Sequence, residues 1–277
     1  MCGTDLVAQY IPRLLSPMLL LFIAVYHFII IVLQTAVTRP WKLINIHYLR
    51  TKSFSRLWKE NGAQMSQEMP AGTDSLLASV SGLVLDLGPG TGEILSRLNP
   101  SQILAVYGAE PAVDMHSKLR ENVKKHGFDG KYTPMLCGAE PESLIPALAK
   151  CGMVTGDAAG EGVFDEICCI RVLCGIPRPR DTIQALYGLL KPGGRMIVCE
   201  HVVVPWRTEG SKMARFMQFV YTMIGWPFFM AGCELQRHTE LWLREAAGRE
   251  GWASVNLKYV EPKTAVPFIV GELRKRG

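Results

Sequence analysis

From about residue 80 onward, short apolar runs alternate with amphipathic stretches. Residues 83–87 (LVLDL) predict a strand, followed by the glycine turn Gly88-Pro89-Gly90-Thr91-Gly92 and a helix beginning near Glu93. Residues 103–108 predict the second strand, and 111–126 a helix opened by Pro111 and closed by Gly127. A third strand is expected at 132–137 with its helix at 141–150, and a fourth at 164–173 (FDEICCIRVL) with its helix at 181–190. Lys191-Pro192-Gly193-Gly194 reads as a tight turn into a fifth strand at 195–200. The tail adds a helix at 239–248 and strands at 253–260 and 268–273. Strands that are apolar on both faces and regularly separated by helices specify an α/β fold, a doubly wound, mostly parallel seven-stranded sheet covered by helices.

The pattern before residue 80 is different. Residues 14–38 hold no Asp, Glu, Lys or Arg and are mostly Leu, Ile, Val and Phe. As a helix this run would reach about 37 Å, enough for a hydrocarbon core of about 30 Å. A cleaved signal peptide would have a shorter apolar core, a basic start and small residues at the cleavage point. Here one arginine, Arg13, precedes the run, and Arg39-Pro40-Trp41 follows it. The expectation is an uncleaved N-terminal transmembrane helix in residues 1–38, with Pro17 and His27 leaving a monotopic hairpin open. Residues 39–79 then form a basic juxtamembrane linker with helices, and residues 80–277 the α/β domain.

Composition changes the picture only once the charge is located. The chain of 277 residues is 48% hydrophobic, which excludes a disordered or collagen-like protein. Its 30 Lys plus Arg against 25 Asp plus Glu leave a net charge of +5, which would suit a nucleic-acid partner. Residues 39–59, however, hold Arg39, Lys42, Arg50, Lys52, Arg56 and Lys59 and no acid. The remainder is near neutral, so the basic excess points to anionic membrane lipid and not to nucleic acid. A basic flank C-terminal to the apolar run places the α/β domain on the cytosolic side, with Trp41 and Tyr48 at headgroup level. The eight cysteines include no CxxC pair and no Cys/His ligand spacing. They read as small buried hydrophobes in a reducing compartment, Cys168 and Cys169 pointing to opposite faces of one strand, with no metal site.

The chemistry begins at the first strand-to-helix turn. Gly88, Gly90 and Gly92 let the backbone approach a ligand closely, and the expected helix N-terminus would favour a negative group. Eighteen residues after Gly92, Glu110 stands at the end of the second strand, where an acid can accept hydrogen bonds from both hydroxyls of a ribose. A dinucleotide fingerprint would place glycine or alanine at position 93, which is Glu93, and no P-loop pattern is present. Asp86 adds a second acid beside the loop. Acids at a glycine loop favour a ligand with a cationic end, the character of S-adenosylmethionine, over a phosphorylated one.

VLDLGPGTG (84–92), the pair Glu110-Pro111 and LLKPGG (189–194) together resemble a class I S-adenosylmethionine-dependent methyltransferase, with its Rossmann-like sheet. RVLCGIP (171–177), EHV (200–202) and AGC before a Trp-bearing helix (231–242) resemble the membrane-anchored thiol methyltransferases of the methyltransferase-like group. The resemblance implies that Asp86, Gly88, Gly90, Thr91 and Gly92 frame the methionine end and that Glu110 and Pro111 hold the ribose. It implies that Ala139 and Glu140 flank the adenine and that Arg171 lines the cofactor at the fourth strand. It also implies thiol S-methylation at a membrane, expected to be the endoplasmic reticulum, while the composition of residues 216–233 points to a small apolar acceptor. Glu140 serves equally well as an acid stabilising a helix N-terminus.

For the acceptor the residues leave alternatives open. His201, at the end of the fifth strand, is the candidate base, with a plain hydrogen bond to a loop carbonyl as its structural role. Cys174 and Cys233 either line the pocket or pack. Residues 216–233 carry no charge and many aromatics, and are expected to form a lid near the membrane surface rather than a second dip or a core helix. An N- or O-methyltransferase of a secondary-metabolite pathway is the alternative; an NAD-dependent oxidoreductase and a non-catalytic adaptor are more distant.

Overall fold

The computed structural model describes residues 3–154 and 162–277. Strands β1 (Gly82–Leu87), β2 (Ile103–Ala109), β3 (Tyr132–Met135), β4 (Phe164–Ile170), β5 (Leu190–His201), β6 (Ser254–Val260) and β7 (Phe268–Arg274) form one sheet in the order β3-β2-β1-β4-β5-β7-β6. The first five run parallel, and β7 pairs antiparallel with both β5 and β6. The doubly wound, mostly parallel sheet expected from the alternation is the observed one.

Helices α1 (Gly3–Thr38), α2 (Ile46–Met65) and α3 (Thr73–Ala78) precede the sheet. Helices α4 (His116–Lys125), α5 (Pro141–Lys150) and α6 (Pro179–Leu189) connect its parallel strands. Helices α7 (Lys212–Met223), α8 (Trp226–Phe229) and α9 (Thr239–Glu245) lie between β5 and β6. The two-residue period of the strands divides the core. Leu85, Ile167, Cys169 and Val198 face α5, α6 and α9, whereas Val84, Cys168, Ile170 and Ile197 face α3 and α4. Cys168 and Cys169 thus take opposite faces, as their adjacency requires. Burial of a side chain such as Phe128 or Phe164 stabilises each layer by about 1.5–3 kcal/mol.

Several boundaries differ from the pattern, each for a local reason. The helix expected from Glu93 is a single 3-10 turn, Leu95–Arg97. Asn99-Pro100 follows at once and β2 begins at Ile103, so the chain is too short for an α-helix, and no helix dipole stands behind the glycine loop. The helix expected at 111–126 opens with a 3-10 turn, Val113–Met115, before α4 begins at His116. Strand β4 stops at Ile170 because Arg171 takes a φ of 57°. Lys191–Gly194 lies within β5, where the register jumps from Phe164↔Leu190 to Glu166↔Arg195. The uncharged stretch at 216–233 is broken into α7 and α8 at Gly225, whose φ is 104°.

Residues 11–38 of α1 are long and apolar enough to cross a membrane, and 22% of the most apolar window is buried inside the protein. One face of α1 joins a third cluster, in which Leu21 and Ala24 meet Leu57 of α2, Tyr221 of α7, Trp226 of α8 and Cys174. Helix α2 packs onto the sheet edge as well. Lys52 pairs with Asp114 at 2.6 Å, and Arg97 donates to Ser66 O at 2.5 Å.

Candidate cofactor and acceptor site

The carboxyl ends of β1, β2 and β4 meet at the glycine loop. Gly90 has a φ of 59°, and a Cβ there would lie 2.5 Å from Trp58 Nε1. Both facts require glycine. The loop is held by acids. Glu110, 5% exposed, accepts a hydrogen bond from Gly90 N at 3.0 Å on one carboxylate oxygen and from Ala112 N at 2.8 Å on the other. Its carbonyl accepts from His116 Nε2 at 2.9 Å, which fixes that tautomer. Asp86 accepts from Tyr132 Oη at 2.9 Å. Glu93 accepts from Trp58 Nε1 at 3.0 Å and from the Thr91 hydroxyl.

Two of these carboxyl groups, Asp86 and Glu110, are buried, and burial disfavours their charged forms. Burial pushes Asp86 up to about 7, against the Tyr132 hydrogen bond, and Glu93 adds to the rise. Burial pushes Glu110 up to about 7 as well, against the two amide bonds, with Asp86 and Glu93 raising it further. A cationic group at this edge would relieve both shifts, and the oxygens of Glu110 retain lone pairs for hydroxyl donors. The residues present therefore fit a ligand with a cationic end and a ribose.

The structure brings Asp86, Gly88, Gly90, Thr91, Gly92 and Glu110 into one cluster, with Pro111 exposed at its rim. Ala139 is buried just beyond β3 on the same edge. Glu140 is the N-cap residue of α5, and its side chain folds back over Gly138. Arg171 follows β4 and turns toward α2, donating to Met65 O at 3.1 Å and Ser66 Oγ at 2.5 Å. Its guanidinium lies 5.3 Å from the centre of the Trp58 ring, which Phe54 stacks upon from within α2. Trp58 is the site residue that sequence reading missed. Its signal was the Phe54/Trp58 pair one helical turn apart in a segment taken for a linker. Tyr132 was missed too; Gly108, which a Cβ would drive to 2.2 Å from Tyr132 Oη, makes the room for it.

The neighbouring ends of β4 and β5 are built differently. Glu200, fully buried, accepts from Val172 N at 2.8 Å and Leu173 N at 2.9 Å, and burial pushes it up to about 8. It holds the loop after β4. His201 lies at the end of β5 with its ring tilted on Phe268 at 4.3 Å. Burial, with the charge of Arg171, pushes it down to about 3, so the imidazole is neutral and weakly basic at physiological pH. Cys174 and Cys233 are buried beside each other, their thiols hydrogen-bonded. The described cysteines are free, and burial pushes Cys137 to about 11 and Cys199 to about 12, well out of the reactive range. Cys2 lies outside the described residues.

Comparison with known proteins gives this geometry a context. The profile of the methyltransferase domain family matches residues 61–248, more than half of the chain. Thiol S-methyltransferase TMT1B of Rattus norvegicus is 33% identical over 76 residues, 27% of this chain and 29% of that protein, so the match spans under a third of the relative. Among solved structures, a protein from Bordetella parapertussis has a TM-score of 0.55 at 14% identity, covering 92% of this chain and 97% of its own. An O-methyltransferase family protein from Burkholderia thailandensis has a TM-score of 0.50 at 13% identity, covering 83% and 60%. These two likenesses establish the fold. With acids and glycines gathered at the carboxyl edge of that fold, the chain belongs to the methyltransferase domain family.

Proposed function

We propose that the protein is an S-adenosylmethionine-dependent methyltransferase that acts at a membrane on a small apolar thiol. S-adenosylmethionine supplies a methyl group already activated on a sulfonium, so the chain's work is to bind, orient and exclude water. In this reading the loop 88–92 and Asp86 hold the methionine end, and Glu110, with Pro111 beside it, takes the ribose hydroxyls. Ala139 and Glu140 border the adenine. Arg171 positions the site by tying the loop after β4 to α2, and Trp58 closes over the glycine loop.

The observation that carries the thiol reading is the setting of His201, its ring tilted on Phe268 and its Nδ1 buried without a hydrogen-bond partner among the described residues. Held near 3, it is a poor proton acceptor. A thiol, with an ordinary pKa of about 8.5, presents some thiolate from solution and needs no strong base, whereas a phenol or an aliphatic ammonium does. The apolar third cluster and the thiol activity named for the Rattus relative support the same choice. Residues 1–38 serve as the membrane anchor and 39–79 as a basic juxtamembrane segment, with 80–277 as the catalytic domain on the cytosolic side of the endoplasmic reticulum.

The test is methyl transfer to a panel of apolar thiols, amines and phenols, read by mass spectrometry of the products. The expected result is S-methyl thioethers from the thiols, with activity rising with pH as thiolate forms. Methylation confined to amines or phenols contradicts the reading and points to a secondary-metabolite N- or O-methyltransferase.

A further inference from the structure

We propose that the protein lies flat on an anionic bilayer, α1 resting in the interface plane and α7 forming a second apolar contact beside it. The proposal rests on the membrane reading above and deepens it. Helix α1 is seated on the catalytic domain along its middle. Leu14, Leu21, Ala24 and His27 are buried on one face. Tyr221 Oη donates to Leu14 O at 2.8 Å, Asn61 Nδ2 lies 3.3 Å from His27 Nε2, and Phe28 packs on Phe228 and Phe229. A helix crossing the bilayer while keeping these seats would carry Asn61, Arg56 and Glu60 into hydrocarbon, where polar and charged groups are costly. Lying in the plane leaves them on the protein side.

The opposite face of α1 presents Leu15, Leu19, Phe22, Tyr26, Ile29 and Leu33, each about half or more exposed and recurring every three or four residues. Helix α7 is apolar on both faces: Ala214, Met217 and Tyr221 pack inward around one polar residue. Its glutamine, Gln218, is fully buried, donating to Val202 O and accepting from Val204 N, both at 3.0 Å. Met213, Phe216, Phe219 and Met223 point outward. The two outward stripes adjoin, because Leu14 of α1 packs against Ala214 and Met217 of α7 between them. Such contiguous apolar surface marks an interaction face.

Charge selects the occupant. At one end of the face, Arg207 sits over the Trp206 ring at 4.8 Å and Lys212 is exposed. At the other, Trp41 is 67% exposed, and a cavity of about 520 Å³ between α1 and α2 is lined by Arg39, Lys52, Arg56 and Lys59 with Glu60 and Asp114. Lys52 pairs with Asp114 and Arg56 with Glu60, which leaves Arg39 and Lys59 as surplus positive charge. An apolar face with basic and aromatic ends matches acyl chains flanked by anionic headgroups. A second copy of the chain would instead bring like charges together.

The test uses the full-length protein with vesicles of phosphatidylcholine, alone and with phosphatidylserine, carrying a lipid photoreactive in its acyl chain. Lipid adducts are expected on the outward residues of α1 and on residues 213–223, with stronger binding to the acidic vesicles. An N-terminal epitope should remain open to protease added outside. The double variant Phe216→Ser/Phe219→Ser should lose the α7 adducts and partition at least about tenfold less, a lower bound for removing two large side chains from an apolar medium. Adducts on α1 alone, a protected epitope, or chain-to-chain crosslinks in place of lipid adducts overturn the proposal. Failure to float with any vesicle overturns instead the membrane reading beneath it, and S-adenosylmethionine binding by the same samples reports separately on the fold.

Discussion

The two halves of the sheet edge are made in contrasting ways. At the ends of β1 and β2 the site is polar and local: three acids, Asp86, Glu93 and Glu110, lie within one strand-loop-strand unit, held by amides and a hydroxyl of neighbouring elements. At the ends of β4 and β5, Glu200, Arg171 and His201 are backed by an apolar cluster assembled from afar, by Leu21 and Ala24 of α1, Leu57 of α2 and Tyr221 of α7. In the proposed function the first half takes the cofactor, whose chemistry is fixed, and the second takes the acceptor, for which distant helices supply the shape.

The largest effect expected from breaking this contrast is at Gly90. Gly90→Leu adds a side chain at φ 59° against Trp58, and S-adenosylmethionine binding measured by titration calorimetry should fall by about 100-fold or more. Far-ultraviolet dichroism should stay native. Tyr132→Phe removes the donor to Asp86 inside the buried pair and should cost about 1–3 kcal/mol in denaturant unfolding.

A pH series sharpens the same half. Asp86 and Glu110 titrate near 7 in the folded chain, above the ordinary carboxyl range. The folded state therefore holds more protons than the unfolded one between those limits. Their contribution to stability is fully present at acid pH below the ordinary carboxyl range and is lost as pH rises through about 7. Thermal melts should record that fall in the free protein. Added S-adenosylmethionine should offset it increasingly with pH, because its cation favours the carboxylates. The smallest effect is at Trp58, whose change to Ala removes a cover and not a ligand. It should weaken cofactor affinity only about three- to tenfold by the same calorimetry, as the loss of one aromatic contact would.

The contrast also explains what could be read from the chain. Strand alternation and the spacing from Gly92 to Glu110 are local or set by one strand-loop-strand unit, so the sheet, and the gathering of Asp86, the glycines and Glu110 at its edge, were legible. The absence of an α-helix after Gly92 was legible in principle, since Asn99-Pro100 stands seven residues on, but the glycine motif outweighed it. Trp58 over Gly90, Arg171 to Ser66 and Leu14 under Tyr221 join residues 32, 105 and 207 positions apart, and no periodicity records such pairs. His201 was legible as a residue at the right strand end. The burial and the Arg171 charge that make it a poor base belong to tertiary structure.

The most direct test of the account is the affinity of the full-length protein for S-adenosylmethionine and for NADH, with Glu110→Ala alongside. S-adenosylmethionine is expected to bind and NADH not, with the variant roughly ten- to 100-fold weaker, as the loss of hydrogen bonds to a charged group implies. Equal affinity of the variant, or binding of NADH alone, would contradict it.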